Sequence, residues 1–152
     1  MLRCGLLGEK LGHSYSPEIH KMLAEYEYRL YERCAEELEG FIRGGEWDGL
    51  NVTMPYKKAV IPFCDELGER ARLSGSVNTL VRRADGSIYG DNTDMFGFES
   101  LLRVNGIDPA GMRALVLGNG GACASVRAVL DSLDAQTVVI SRRGEDNYNN
   151  LV

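Results

Sequence analysis

The sequence predicts an α/β protein in which a mostly parallel sheet, flanked by helices, is followed by an incomplete second sheet. Short apolar runs alternate with stretches of helical periodicity along the 152-residue chain. A hydrophobic fraction of 44% and a charged fraction of 26% are typical of a globular chain with a core. A new strand, turn and helix begin after Asp108. We therefore expect one domain over 1–107 and the start of another over 108–152.

The first half of the first domain is expected to contain three strands and two helices. The apolar CGLLG run (4–8), the alternating YRLYERC run (28–34) and the DGLNVTMP run (48–55) predict strands. The SPEIHKMLAEYEY stretch (16–28) predicts a helix that is capped by Ser16 and has Pro17 in its first turn. The second helix is expected to begin at residue 35 and to stop at Gly44 and Gly45.

The rest of the first domain is expected to be helix, hairpin and helix. A helical pattern over 57–75 is interrupted at Pro62. Two β-rich runs around Ala84, Asp85 and Gly86 predict a hairpin. A last helix over 93–106 should end at Gly106.

Bulk properties exclude several classes of protein. The net charge is -5, the isoelectric point is about 5.1 and no basic stripe exists, so we expect no nucleic-acid partner. No apolar run approaches the roughly 20 residues that cross a bilayer, and the N-terminal run is too short for a secretory signal. The four cysteines contain no CxxC pair, which favours reduced thiols, no metal and a cytoplasmic location. The expected oligomeric state is a monomer or homodimer.

A glycine turn, LGNGG, follows the apolar ALVL strand and opens a helix. Gly118, Gly120 and Gly121 permit a tight turn and a close approach of the backbone to a pyrophosphate, which the helix N-terminus would also favour. A purely structural strand-to-helix turn explains such a pattern as well. The unit then has one more strand, TVVI, although a complete nucleotide-binding half needs a further crossover. We expect an incomplete, Rossmann-like dinucleotide-binding unit.

The residues after the TVVI strand favour NADP over NAD. Groups that bind the adenosine ribose lie about 20 residues beyond the glycine turn, where this chain has Ser141, Arg142 and Arg143. Guanidinium groups match the oxygens of a 2′-phosphate. A solvated basic strand end is the alternative, and Glu145 and Asp146 leave the choice of cofactor open.

Polar side chains gather at the ends of elements in the first domain. Asn, Thr and Lys occur in NVTMPYK (51–57), Asn and Thr in VNT (77–79), and Asp, Asn and Thr in DNTD (91–94). Amides and hydroxyls bind the hydroxyls of a polyol well, since each donates and accepts hydrogen bonds. Such residues also cap helices and form turns. From spacing alone, a polar small-molecule site and a set of turns are equally good explanations.

Four motifs in order resemble the shikimate dehydrogenase family: GxxLxHSxSPxxH, NVTxPxK, SVNT and DNTDxxGF, followed by the glycine turn. The resemblance covers essentially the whole chain. It implies a shikimate-binding catalytic domain over 1–107, the start of an NADP-binding domain over 108–152, and a role in chorismate biosynthesis. The implied reaction is the reversible reduction of 3-dehydroshikimate to shikimate, with NADP carrying the hydride.

The resemblance also implies roles for individual residues. Ser14 and Ser16 would bind the carboxylate of shikimate, and Lys57 and Asp94 would form the catalytic pair. Burial would lower the pKa of Lys57 and the carboxylate would raise it, so either residue could move the proton; we favour Lys57. The ring hydroxyls would be bound by Thr53, Lys57, Asn78 and Asp94, with Asn51 as a weaker candidate. The cofactor would be bound by Gly118, Asn119, Gly120, Gly121, Ala122, Ser141, Arg142 and Arg143.

Three departures from the family pattern keep alternatives open. Asn119 replaces a common alanine, and SRR replaces the usual Asn-Arg-Thr/Ser. Family members also continue well beyond 152 residues, so we expect a fragment of a longer enzyme. The alternatives are a quinate/shikimate dehydrogenase that uses NAD and a non-catalytic module that binds shikimate.

Overall fold

The computed structural model describes residues 1–142 and residue 147. The chain divides into two compact units, Met1–Asp91 and Asn92–Val152. The α/β class is confirmed. Among the described residues, no helix has the length and apolar character needed to span a bilayer.

The first unit is built on a six-stranded mixed sheet. Its strands are β1 (Arg3–Gly8), β2 (Glu27–Glu32), β3 (Gly49–Val52), β4 (Glu66–Leu67), β5 (Thr79–Arg82) and β6 (Ile88–Asp91). The strand order is β2-β1-β3-β5-β6-β4. β1 pairs in parallel with both β2 and β3, and β4 pairs in parallel with β6, whereas β5 is antiparallel to its two neighbours. The sheet is therefore mostly parallel, and the predicted hairpin is confirmed as β5–β6.

Three helices accompany this sheet: α1 (Ser16–Leu23), α2 (Leu38–Gly44) and α3 (Glu69–Ser74). Single 3-10 turns lie at Ala35–Glu37 and Ile61–Phe63. One face of the sheet contributes Leu7, Leu50 and Val52 to the core, where they join Trp47 and Val60. The residues that alternate with them point to the opposite face. The hydrophobic core therefore lies on one side of the sheet.

Arg82 ties the hairpin to the end of α2. Its guanidinium lies 4.2 Å from the centre of the Trp47 ring and donates to the Ile42 carbonyl at 2.7 Å. It also donates to the carbonyls of Trp47 at 3.3 Å and Gly45 at 3.5 Å. These carbonyls lie in and beyond the last turn of α2, where a helix leaves its acceptors unpaired. Arg82 thus satisfies acceptors that α2 cannot satisfy itself.

Three local predictions are wrong. Tyr15, not Ser16, is the N-cap of α1, and Ser16 is the first helical residue; the Ser14 hydroxyl accepts from the Ser16 N–H at 3.2 Å. The helix also ends at Leu23, because the chain must start β2 at Glu27. The helical pattern predicted over 57–75 is interrupted by strand β4 as well as by a proline.

The second unit contains α4 (Thr93–Val104), β7 (Arg113–Leu117), α5 (Cys123–Ser132) and β8 (Gln136–Ile140). β7 and β8 form a two-stranded parallel sheet, as expected for a βαβ unit. On β7, Leu115 and Leu117 are more than half exposed. The two compact units divide between Asp91 and Asn92, whereas the sequence predicts a domain boundary near residue 107. The two boundaries differ because α4 packs against α5 and is therefore grouped with the second unit. The functional domain assignment stays a prediction.

Candidate active site

Backbone hydrogen bonds bring three predicted site residues together at the carboxyl end of β3. The Val52 N–H donates to the Asn78 carbonyl at 2.7 Å, and the Val77 N–H donates to the Lys57 carbonyl at 2.7 Å. Thr53, the next residue after β3, donates its N–H to the Leu7 carbonyl at 2.9 Å. The structure thus gathers Thr53, Lys57 and Asn78 around the ends of β1 and β3, where parallel sheets usually bind ligands.

The turn that follows β3 is fixed by buried residues on both sides of Lys57. The Tyr56 N–H donates to the Thr53 carbonyl at 2.9 Å, and the Val60 N–H donates to the Tyr56 carbonyl at 3.1 Å. The Tyr56 hydroxyl donates to the Arg33 carbonyl at 2.6 Å, and its ring is buried. The Met54–Pro55 peptide bond in this turn is cis. Lys57 itself is half-buried. Because its neighbours in the turn are bonded and buried, the backbone that carries the Lys57 side chain is held in one position.

Asn78 and Asn51 are polar residues whose side chains already have defined partners. Asn78 is 7% exposed, and its Oδ1 accepts from the Thr79 hydroxyl at 2.9 Å. Asn51 is half-buried on β3, and its Oδ1 accepts from the Tyr28 hydroxyl at 2.8 Å. In each case the amide oxygen accepts a hydrogen bond from a neighbouring hydroxyl, which fixes the orientation of the amide.

Ser14 and Ser16 lie side by side at the start of α1. The Ser14 hydroxyl donates to the Ser16 hydroxyl at 3.1 Å, and both side chains are half-buried. A further backbone bond, from the Ser14 N–H to the Leu11 carbonyl at 2.9 Å, closes the loop that precedes them. Two adjacent hydroxyls at a helix start can both donate to one carboxylate.

A cavity of about 250 Å³ opens beside these serines. Ser14 and Thr53 both line this cavity, so it lies between the serine pair and the residues at the end of β3. The remaining lining residues were not predicted as site residues: Leu6, Lys10, Leu11, Gly12 and His13. Lys57 and Asn78 do not line the cavity, although backbone bonds hold both near its Thr53 wall.

Tyr28 and His20 were not predicted as site residues, yet both contact the predicted set. The His20 ring stacks on the Tyr28 ring with centroids 3.8 Å apart, and its Nδ1 meets the Tyr26 hydroxyl. Burial raises the pKa of Tyr28 to about 12, although a hydrogen bond with the Ser16 side chain opposes that rise. Burial lowers the pKa of His20, and a hydrogen bond with Asn51 opposes the decrease. His20 is the last residue of the GxxLxHSxSPxxH motif, which gives it no role, and Tyr28 shows no distinguishing spacing in the sequence.

Asp94 lies in the other compact unit, in the first turn of α4. The preceding Asn92 is the N-cap; its Oδ1 accepts from the Met95 N–H at 3.3 Å. Asn92 is fully buried, and its Nδ2 donates to the Ser125 hydroxyl of α5 at 2.9 Å. Asn92 thus holds the helix start that carries Asp94, a role that the DNTD motif alone does not reveal.

The glycine turn links β7 to α5 and has a conformation that depends on glycine. Gly118 has φ of +107°, a conformation that favours glycine, and its N–H donates to the Ile140 carbonyl at 2.7 Å. Among the described residues, no atom lies within 4 Å of a Cβ placed at Gly118 or Gly120. Ala122 is the N-cap of the ten-residue helix α5 and makes no side-chain hydrogen bond. The N-terminus of α5 therefore follows directly on the turn.

The strand end predicted to bind the adenosine phosphate is only partly described. Ser141 is 4% exposed and forms an isolated bridge with Asn147, while Arg142 is exposed. Arg143, Glu145 and Asp146 lie outside the described residues. Within residues 1–142 and 147, no group of three His, Cys, Asp or Glu side chains could hold a metal ion.

Comparisons with known proteins agree with one another. A family model described as "Shikimate dehydrogenase substrate binding domain" matches residues 6–80. A curated relative from Halorhodospira halophila, named "Shikimate dehydrogenase (NADP(+))", is 43% identical over 96% of this chain and 57% of its own length. The chain thus spans about half the length of the curated relatives it matches.

Two solved structures show the same fold. Shikimate 5-dehydrogenase from Thermus thermophilus, in complex with NADP(H) and shikimate, is 32% identical with a TM-score of 0.81, over 94% of this chain and 57% of that one. Quinate dehydrogenase from Corynebacterium glutamicum, in complex with NAD, is 28% identical with a TM-score of 0.79, over 93% of this chain and 55% of that one. By its motifs, its fold and these agreements, the chain belongs to the shikimate dehydrogenase family.

Proposed function

We propose that this chain contains the shikimate site and the start of the cofactor site of an NADP-dependent shikimate dehydrogenase. The reaction is the reversible reduction of 3-dehydroshikimate to shikimate. The observation that supports this most directly is the set of backbone bonds that gathers Thr53, Lys57 and Asn78 at the end of β3. Ser14 extends the same site through the cavity that it shares with Thr53.

The chemistry of these side chains suits a hydroxylated ring acid. Ser14 and Ser16 supply two neighbouring hydroxyls for one carboxylate. Thr53, Asn51 and Asn78 supply a hydroxyl and two amides for ring hydroxyls, and the amide oxygens already have partners that fix the amide planes. Because most of these groups are uncharged, they distinguish hydroxyl positions by geometry rather than by net attraction.

Lys57 and Asp94 are the proposed catalytic pair. The carbinol oxygen must lose a proton on oxidation and regain it on reduction. Lys57 is half-buried in a turn with defined backbone bonds, as a proton-transfer group requires. Asp94 belongs to the other compact unit, at the start of a helix fixed by Asn92. We assign the proton to Lys57 and charge balance to Asp94.

The glycine turn is the proposed pyrophosphate site, and NADP is the proposed cofactor. Gly118, Asn119, Gly120, Gly121 and Ala122 would surround the pyrophosphate. The support is that no described atom lies within 4 Å of a Cβ placed at Gly118 or Gly120. The bound cofactor would supply the hydride. The adenosine phosphate would be bound by residues after β8: Ser141, Arg142 and Arg143. The free thiols of all four cysteines favour a reducing compartment, so we place the enzyme in the cytoplasm.

A quinate or quinate/shikimate dehydrogenase that uses NAD is the second candidate, favoured by the likeness to quinate dehydrogenase. The test incubates the purified chain with shikimate or quinate and with NADP or NAD, and measures reduced cofactor. Turnover with shikimate and NADP is the expected result, and preference for quinate and NAD would support the second candidate. Parallel calorimetric titration with shikimate separates substrate binding from turnover. Binding without turnover would reduce the proposal to a shikimate-binding module, and no binding would refute it.

A further inference from the structure

We propose that Tyr28 is a positioning residue that orients the side chain of Asn51 toward the substrate. The proposal rests on the proposed function, since shikimate is the ligand that this side chain would meet. Tyr28 does not line the cavity of the candidate site. It acts through its hydroxyl on Asn51, a residue of the proposed substrate site.

Strand register explains how Tyr28 reaches Asn51 across the sheet. Tyr28 of β2 is paired with Cys4 of β1, and Cys4 is paired with Gly49 of β3. Asn51 lies two residues beyond Gly49 and therefore on the same face. The Tyr28 side chain therefore crosses β1 on this face to reach Asn51. This face is opposite to the hydrophobic core and lies under α1.

The Tyr28 hydroxyl bonds directly to the Asn51 amide. Nearby, the Ser14 hydroxyl donates to the Ser16 hydroxyl at 3.1 Å, and the Ser16 side chain opposes the rise in the pKa of Tyr28. The Tyr28 hydroxyl donates to the Asn51 Oδ1 at 2.8 Å. Because the Asn51 oxygen is the acceptor, its –NH₂ group must point the other way. The Tyr28 hydroxyl therefore helps to fix which end of the amide is offered to a ligand, beside His20, whose pKa reflects a hydrogen bond with Asn51.

Two features keep the Tyr28 hydroxyl a fixed donor. Burial raises the pKa of Tyr28 to about 12, so the phenol keeps its proton throughout the neutral range. The His20 ring stacks on the Tyr28 ring at 3.8 Å and 15°, which restricts ring rotation. Preorganised donors bind a polar ligand more tightly because less conformational freedom is lost on binding.

The experiment compares the whole chain with its Tyr28→Phe and Tyr26→Phe variants. Tyr28→Phe keeps the stacked ring and removes only the hydroxyl. Tyr26→Phe is the matched control: Tyr26 belongs to the same aromatic cluster, but its hydroxyl meets His20 rather than Asn51. Three quantities are measured for each chain: the melting temperature, the side-chain amide signals of Asn51 in a ¹⁵N NMR spectrum without ligand, and the affinity for shikimate.

We expect Tyr28→Phe to shift and broaden the Asn51 amide signals and to weaken shikimate binding roughly 10-fold, the effect of one lost hydrogen bond. Tyr26→Phe should leave both readouts near those of the unmodified chain. Unchanged Asn51 signals in Tyr28→Phe, or equal losses in both variants, would overturn the positioning role. If the unmodified chain does not bind shikimate although Tyr28→Phe moves the Asn51 signals, the proposed function fails and only the side-chain orientation stands.

Discussion

Gly8, the last residue of β1, allows the ends of β1 and β3 to come close together. A Cβ at this position would lie 2.6 Å from the Leu11 Cδ2, 2.8 Å from the Thr53 Cγ2 and 3.3 Å from the Met54 carbonyl oxygen. Two of these neighbours, Leu11 and Thr53, line the cavity of the candidate site. A Gly8→Ala substitution should therefore disturb the site as well as the fold.

The size of the disturbance follows from the distances. Carbon atoms in contact are normally about 3.5 Å apart or more, so the neighbours must move by about 0.7–0.9 Å. Leu11 is 4% exposed and Thr53 is β-branched, so neither can turn away freely. Overpacking of this kind costs about 1–3 kcal/mol of folding free energy. A Thr53 displaced beyond the roughly 0.5 Å tolerance of a binding site should weaken shikimate binding about 10-fold.

The assay measures the melting temperature and the shikimate affinity of Gly8→Ala beside those of Gly40→Ala. Gly40 is an exposed residue of α2, and a Cβ there would meet no atom within 4 Å. Alanine should stabilise that helix position by about 0.5–1 kcal/mol and leave binding unchanged. Both variants add one methyl group, so the comparison isolates the crowded position. If Gly8→Ala melted and bound shikimate like the unmodified chain, the close approach at Gly8 would have no role in placing Thr53.

The other predictions concern catalysis, the start of α4 and pH. Lys57→Ala should lower turnover far more than shikimate affinity, with exposed Lys58→Ala as the control; equal losses would make Lys57 a binding residue only. Asn92→Ala leaves two buried partners unsatisfied and should lower the free energy of unfolding, measured with denaturant, by about 2–4 kcal/mol. The exposed control Asn105→Ala should lower it far less, and similar losses would contradict the role of Asn92. Burial lowers the pKa of His20 below its unfolded value of 6.5. The neutral His20 ring therefore stabilises the fold fully above pH 6.5, and this stabilisation is lost as the pH falls through the lowered pKa. The melting temperature should therefore fall on acidification by less in His20→Phe, which keeps the stacked ring, and an equal fall would refute the assignment.

Short sequence patterns correctly predicted the elements whose conformation depends on residues that are close together in the chain. The Asp85-Gly86 turn predicted the β5–β6 hairpin, because a positive φ at Gly86 is a requirement of the turn itself. Strand β4 was missed because its two residues gain their strand conformation from pairing with β6, far along the chain. The cap at Ser16 was wrong because the helix starts one residue earlier than a capping Ser16 would require, and Ser14 provides the hydrogen bond instead.

The candidate site was predictable to the extent that family motifs mark it. Thr53, Lys57 and Asn78 belong to recognisable motifs, and the structure brings them together. Tyr28 was not predicted, because alternation along β2 indicates a face of the sheet and cannot indicate a partner on β3. Asn92 belongs to the DNTD motif, but no role of its own was predicted for it. Its contact with Ser125 joins residues that are distant in the chain, so no local pattern indicates it.

The bonds from Arg82 to the end of α2 affect the order in which a newly synthesised chain can fold. The carbonyls of Ile42 and Gly45 receive their donor from a residue 40 and 37 positions later, respectively. At a synthesis rate of roughly 5–20 residues per second, that donor follows about 2–8 seconds after the helix. During this interval the end of α2 depends on water for its hydrogen bonds. The nascent chain can therefore complete its first unit only after the hairpin has left the ribosome.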